Sequence, residues 1–405
     1  VAPIDSMNLA PPERRQTSVI SRRSFIATTA LSAAAARRSQ AAGRGTRLDH
    51  KPVELDDPLT GRASERLTPL EGRWRLPSDA QRFLSKKNDF LLLISEVSGA
   101  PQIHHCDLRR GRLTQLTAAP DLLAGTAALD PRDRTFYYAT PQRLLEGSAR
   151  SGGDRAVAQA EEGWRFSGEF AVASNGEALA AVEVMEDDWR EDPAELFAAR
   201  PSSRIRLFPI DGAGGPRVLT ETKHWLSRPQ FRPAGRDLLY AQEGPWGEVD
   251  GRIRIVGADG SVRNVLPRVG EEQIGAEHWL ASGTGVRFVH HPGPGYRGAS
   301  VREFDLASGE IREISKCTAF GAMQSNADGG AIAGASRRPS GPYIFILFTR
   351  LGREITLAEH SVADWSRTNP APALSANSQW VYFASESEGS PAVYRMKLED
   401  LVSET

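Results

Sequence analysis

The sequence predicts an all-β protein, a seven-bladed β-propeller whose ring is closed by an N-terminal strand in the last blade. Three observations predict it: a hairpin phrase that recurs along the chain, an apolar run that opens each unit, and one copy of the phrase displaced to the N-terminal side. The phrase is Asp-X-X-X-Gly followed by a short polar strand ending in Leu-Thr or similar. Asp107–Thr117 (DLRRGRLTQLT), Ile210–Thr220 and Asp305–Ser315 carry it, and Ala258–Leu266 and Arg350–Leu357 carry looser forms. Asp offers an acceptor to the turn's own amides and Gly reaches positive φ without a Cβ clash, so the phrase encodes a hairpin.

The apolar runs are Phe90–Ser95, Thr135–Ala139, Ala178–Val184, Leu238–Ala241, Val286–His290, Ala331–Ala335 and Trp380–Ser385. Their period of about 40 to 60 residues is that of four-stranded propeller blades. The stretch Leu238–Asn264 spells out one unit: a buried strand, a wide turn at Gly244–Asp250, a strand over Gly251–Val256, and a tight turn at Ala258–Gly260 into a third strand. A four-stranded sheet cannot bury both faces alone, so such units stack in a ring that leaves only short edges. The last unit, Trp380–Leu398, has inner strands and no hairpin tail after Leu401, while Asp57–Thr68 is a tail with no apolar run before it. The segment near Glu65–Thr68 is therefore expected to supply the outer strand of the final blade.

The boundaries follow from composition. Residues 1–20 are polar and aperiodic, a disordered leader. Residues 21–42 hold Arg22-Arg23 ahead of a short Ala-rich stretch, which resembles a twin-arginine export signal and implies a periplasmic or secreted protein. That stretch is too short to span a bilayer, so the mature chain carries no integral membrane span. Residues 43–56 read as a linker and 57–401 as the propeller. A net charge of −1 with 25% charged residues excludes a general nucleic-acid binder. Cys106 and Cys317 are too few and too far apart for a disulfide framework or a metal site and read as small core residues.

Four long connections fall between the same two strands of their units and so share one rim: Glu186–Ser203, with apolar residues at helical spacing before Pro201, then Gly244–Asp250, Pro292–Gly298 and Arg337–Gly341. Loops of this length in compact domains are usually functional.

Glu243-Gly244-Pro245, Val249-Asp250 and Phe231-Arg232-Pro233 resemble the oligogalacturonate lyases, seven-bladed propellers that cleave short pectin fragments by β-elimination. Asp187-Asp188-Trp189, Trp225-Leu226, Glu277 with Trp279, Ser325–Gly329 and Thr368-Asn369-Pro370-Ala371-Pro372 extend the resemblance over most of the chain. The family places its base, a histidine, before Glu-Gly-Pro; here that residue is Gln242. It implies a divalent metal, Mn or Ca, held by histidines where this chain has Ala276, Asn369 and Ala371. Asn369 keeps an oxygen, and His278, two residues from the expected histidine, keeps the same strand face, so these two form the expected metal pair.

β-Elimination removes a weakly acidic proton α to a uronate carboxylate, so the site must neutralise the carboxylate and place a base at the proton. Gln242 can orient but not accept a proton. Gln242 and Arg232 are the candidate catalytic pair, and Arg204, Arg228, Trp246, Arg297 and Arg367 the candidate substrate-binding set, because Arg pairs bidentately with planar anions and Trp offers a face to a sugar ring. A replacement base is sought among His278, His290, His291 and Tyr296. The adjacent pairs His104-His105 and His290-His291 face opposite ways in a strand, so neither pair addresses one cavity. The expected partner is a uronate oligosaccharide. Alternatives are a non-catalytic propeller that binds anionic sugars and a protein-interaction propeller of the cell envelope.

Overall fold

The computed structural model describes residues 43–398, apart from 213, 246, 268–269, 271, 294–297 and 337–340. The leader and the twin-arginine-type segment lie outside the described residues. The described chain forms seven antiparallel sheets. Blade 3 shows the standard order from axis to edge: β11 (Trp164–Val172), β12 (Ala178–Met185), β13 (Ser203–Pro209) and β14 (Arg217–Thr222). Blade 4 repeats it with β15 (Leu226–Phe231), β16 (Leu238–Gln242), β17 (Ile253–Val256) and β18 (Val262–Asn264). Blade 5 has β19 (Gln273–Trp279) to β22 (Ile311–Lys316), and blade 6 has β23 (Phe320–Ser325) to β26 (Arg353–Glu359).

In six blades the apolar run is the second strand, with a strand on either side; in blade 1 the run Phe90–Ser95 ends the described sheet and is met on its inner side only by isolated bridges from Arg75 and Leu84. Phe90–Ser95 (β4) and Ala331–Ser336 (β24) are buried at every position. Each well-formed Asp-X-X-X-Gly is the hairpin between third and fourth strands. Asp107 Oδ1 accepts the amides of Arg109 and Arg110, both at 3.0 Å, and Gly111 takes φ +65°. A Cβ at Gly111 would lie 2.3 Å from His50 O, so this glycine also makes room for the strand that crosses it.

That crossing strand corrects the linker expectation. Within 43–56, β1 (Arg47–Asp49) pairs with β6 (Arg112–Gln115) at the edge of blade 1, and β2 (Val53–Asp56) pairs with β3 (Ala63–Arg66). β3 then pairs with β29 (Ala392–Lys397), Arg66 opposite Tyr394 and Glu65 opposite Arg395, which closes the ring as the displaced tail predicts. The last blade thus has five strands. Cys106 and Cys317 are free thiols, and burial pushes Cys106 up to about 12.

The four long connections join second to third strands of blades 3 to 6, so they share one rim. The first carries the expected short helix, α1 (Pro193–Ala199), capped by Asp192 Oδ1, which accepts the Ala194 amide at 2.7 Å. Leu196 of α1 is buried with the blade 3 and blade 4 core. Arg200, at the helix end with φ +52°, donates from Nε to Glu248 at 2.7 Å, tying this loop to the Gly244–Asp250 turn of the next blade. Among the described residues, no helix is long and apolar enough to cross a membrane.

Candidate active site

The innermost strands of blades 3, 4 and 5 all break register: β11 between Phe166 and Phe170, β15 between Ser227 and Gln230, β19 between Gly275 and His278. The breaks centre on residues at positive φ, Gly168 (+99°), Arg228 (+52°) and Ala276 (+53°). A bulge inserts one residue and re-aims its neighbours. Here it brings Glu169, Arg228 and Glu277 together, one from each of three consecutive blades.

The resulting network runs from blade to blade. Arg228 donates to both oxygens of Asp79 (2.9 and 3.2 Å), from Nε to Glu277 (3.1 Å) and from its amide to Glu169 (3.2 Å). Arg252, just before β17, donates to both oxygens of Glu243 (2.8 and 3.2 Å) and to the other oxygen of Glu277. The Ser227 hydroxyl donates to Glu243 at 2.7 Å. Burial works against the charge on Arg228, but Asp79 and Glu277 outweigh it and hold the guanidinium protonated. At Glu169 burial prevails over Arg228 and raises the carboxyl.

This network forms the polar side of a cavity of about 480 Å³ on the rim that carries the long loops. Arg228, Arg252, Glu243, Glu272 and Asn369 line it beside Phe197 of α1, Trp225, Phe320 and Trp365. Aromatic faces opposite convergent polar groups suit a sugar, which is apolar on its ring faces and hydroxylated at its edge.

Of the described sequence candidates, Arg228, Asn369 and His291 line this cavity, whereas Arg204, Arg232 and Arg367 are engaged in other contacts. Arg204 is on β13 inside blade 3, buried between Glu183 and Glu161 (2.7 Å each) with its guanidinium 3.9 Å from the Trp164 ring centre. Arg367 is exposed beside Asp364 at 3.5 Å. Arg232 and Gln242 do not form a pair: β15 and β16 are antiparallel with Leu226 opposite Gln242 and Phe231 opposite Leu238, so the two residues lie at opposite ends of the hairpin. Arg232 donates to Gly283 O (2.7 Å) and Asp237 (3.0 Å) there. Trp246, Arg297 and Tyr296 lie outside the described residues.

Both members of the expected metal pair are engaged in other hydrogen bonds, and only Asn369 lines the cavity. His278 Nδ1 lies 3.3 Å from Ala276 O, which only an N–H can meet, so Nε2 accepts from the Ser325 hydroxyl at 2.8 Å. Burial, and then Arg287, lowers this imidazole to about 4, so it is neutral at pH 7. Asn369 Oδ1 accepts the Ala371 amide at 3.0 Å within its own turn. Among the described residues no three His, Cys, Asp or Glu are grouped to hold a metal ion. The donor set does not fit the family's divalent metal. Of the replacement bases, His291 lines the cavity and His290 faces Glu272 at 3.3 Å.

Sequence reasoning missed Arg252, Asp79 and Glu169, and also His224, whose Nδ1 meets Gln242 Nε2 at 3.1 Å. Arg252 carried a signal, an arginine where a rim turn enters a strand. Asp79 carried none, since it reaches Arg228 from 149 residues away.

Seven antiparallel sheets with a mixed polar and aromatic cavity on the long-loop rim define a seven-bladed β-propeller with a candidate ligand site. The chain belongs to the oligogalacturonate lyase family, whose model matches residues 42–402. It is 22% identical over 386 residues to the oligogalacturonate lyase of Dickeya dadantii, covering 89% of this chain and 99% of that one. It is 23% identical over 373 residues to the oligogalacturonide lyase of Pectobacterium atrosepticum, covering 85% and 96%. Among solved structures, an oligogalacturonate lyase in complex with manganese has the same fold (TM-score 0.83, 22% identity, 89% of this chain and all of that one). So has an oligogalacturonate lyase from Vibrio parahaemolyticus (TM-score 0.81, 23% identity, 89% and 100%).

Proposed function

We propose that this protein binds short uronate-containing oligosaccharides in the rim cavity and cleaves them by β-elimination without a metal. The observation that carries the reading is the Arg252–Glu243 pair in the cavity of a chain from this family, an arginine and a carboxylate in contact at 2.8 and 3.2 Å beside the Gln242 position. An entering uronate carboxylate competes with Glu243 for Arg252, because a guanidinium accepts any planar anion in the same bidentate geometry. Once displaced, Glu243 is left with the Ser227 hydroxyl on one oxygen and its other oxygen open to the sugar. It takes the proton α to the uronate carboxylate, the electron pair forms the ring double bond, and the glycosidic C–O bond breaks, the leaving oxygen taking a proton from water. Arg252 and Arg228 oppose the charge that builds on the uronate.

The test follows absorbance of the unsaturated uronate on mixing purified protein with short galacturonate oligomers. Turnover is expected to be unchanged by EDTA or added Mn²⁺, and Glu243→Gln is expected to lower it by about 10²–10⁴, the usual contribution of a general base, while calorimetry still detects binding. A rate that depends on added Mn²⁺ sinks the metal-free mechanism, and full activity in Glu243→Gln sinks the assignment of the base.

A second reading, an anionic-sugar-binding propeller without turnover, is favoured by Gln242, Ala276 and Ala371 at the positions where the family implies its base and metal ligands. Binding by calorimetry with no absorbance change selects it. For location, we propose twin-arginine export to the periplasm or beyond; loss of export of a reporter fusion on Arg22→Lys/Arg23→Lys checks it.

A further inference from the structure

A second groove, of about 400 Å³, is lined by five arginines, Arg47, Arg109, Arg110, Arg112 and Arg150, against two aspartates. It is framed by the third-to-fourth-strand hairpins of blade 1 (Asp107–Gly111) and blade 2 (around Arg150), whereas the cavity is framed by second-to-third-strand loops. The two therefore open on opposite faces of the ring.

The local charge is not balanced where it stands. Asp107 is occupied by its own turn, accepting the Arg109 and Arg110 amides, and Asp89 accepts the Ser85 hydroxyl at 2.6 Å. Arg112 is held by Asp49 at 3.0 Å. The guanidiniums of Arg47, Arg109, Arg110 and Arg150 have no carboxylate partner among the described residues. In a chain of net charge −1, these arginines gather in one concavity. Its floor is aromatic: the half-buried His105 ring stacks on Phe90 with centroids 4.7 Å apart and planes at 20°.

We propose that this groove binds a linear acidic oligosaccharide, its carboxylates paired with Arg109, Arg110 and Arg150 and one sugar ring resting on His105. Guanidiniums pair with planar anions through two parallel hydrogen bonds. Several of them spread along a groove match an anion that repeats along a chain, and each added pair acts at the high effective concentration the first one sets. A single small anion uses only part of the array. An aromatic floor is matched by the apolar face of a sugar ring. The inference does not rest on the reading of the cavity.

The test is calorimetry of the full chain with tetragalacturonate at low salt, alongside Arg109→Ser/Arg110→Ser/Arg150→Ser at three exposed positions, with circular dichroism to check that the variant keeps the fold. The wild type is expected to bind at this face with an affinity that falls as NaCl screens the exposed charges. The triple variant is expected to lose that binding event by about tenfold or more in affinity, roughly 1.4 kcal/mol. The part of the fluorescence quenching that is absent from Trp225→Phe/Trp365→Phe reports the cavity separately, so failure of one site is distinguishable from failure of the other. Equal binding by wild type and variant overturns the proposal, as does equal binding of uncharged maltotetraose. Displacement of the oligosaccharide by an equal concentration of inorganic phosphate reduces the groove to a simple anion site and also overturns it.

Discussion

Glu277→Gln is expected to destabilise the protein by about 3–5 kcal/mol, the cost of removing one partner from a buried ion pair. Glu277 is fully buried and bridges Arg228 and Arg252, one oxygen to each. The amide that replaces it keeps the shape and cannot balance two guanidiniums. Asp79 and Glu243 still neutralise one arginine each, which places the loss within that range and not far above it. Chemical denaturation measures it, and an effect under about 1 kcal/mol would show that the network is solvated like a surface pair.

The pH dependence carries the same sign. Burial pushes the Glu277 carboxyl up, but Arg252 and Arg228 outweigh burial and hold it below its ordinary value of 4.5. A carboxyl depressed in the folded state stabilises above its unfolded value and loses that contribution as pH falls through the folded one. Wild-type stability should therefore decline on acidification below about pH 4.5, and this part of the decline should be absent in Glu277→Gln. Glu169 runs the other way. Raised by burial, it favours the fold when protonated and gives up that contribution as pH rises above its ordinary value.

The fold was legible because a propeller writes its period into residues with local reasons to be there. The Asp-X-X-X-Gly tails need an amide acceptor and a positive φ, and the second strands need apolar side chains on both faces. Both demands are met within a few residues, so each blade announces itself. The linker expectation failed for a related reason: β1 and β2 are edge strands of three and four residues, exposed or half-exposed, and the alternation Val53-Glu54-Leu55-Asp56 is only four residues long, too short to stand out without a hairpin phrase before it. The site was less legible. Arg204 and Arg228 look alike in sequence, each preceded by a serine in or beside a strand. One lies within a regular third strand and turns to Glu183; the other sits in a bulge of an innermost strand and turns to the axis. The bulge depends on a left-handed φ at a non-glycine residue, which no local preference signals. The Arg232–Gln242 pairing was legible as an error, because two residues at the far ends of one hairpin cannot meet.

A chain beginning at Pro69 is expected to lose cooperative folding, whereas one beginning at Pro52 is expected to keep it. The longer truncation removes β2, β3 and the residues that follow, which hold the two ends of the ring together. Leu67 N donates to Val393 O at 2.8 Å, Val393 N to the Thr68 hydroxyl at 3.0 Å, and Arg395 and Arg66 pair with Glu65 (2.7 Å) and Glu388 (2.8 Å). Leu67 is buried, worth about 1.5–3 kcal/mol, and each backbone hydrogen bond adds about 1 kcal/mol net. With the β3–β29 ladder included, the loss exceeds about 5 kcal/mol, the lower bound of a typical domain's whole stability. The outer edge of β29 is also left unpaired, a template for aggregation. The shorter truncation removes only β1 from the rim of blade 1, where its three residues are exposed and the ring stays closed. Size-exclusion chromatography with denaturant titration separates the two results. A Pro69 chain that stayed monomeric with a single sharp transition would mean that the blade stack holds the ring without its closing strand.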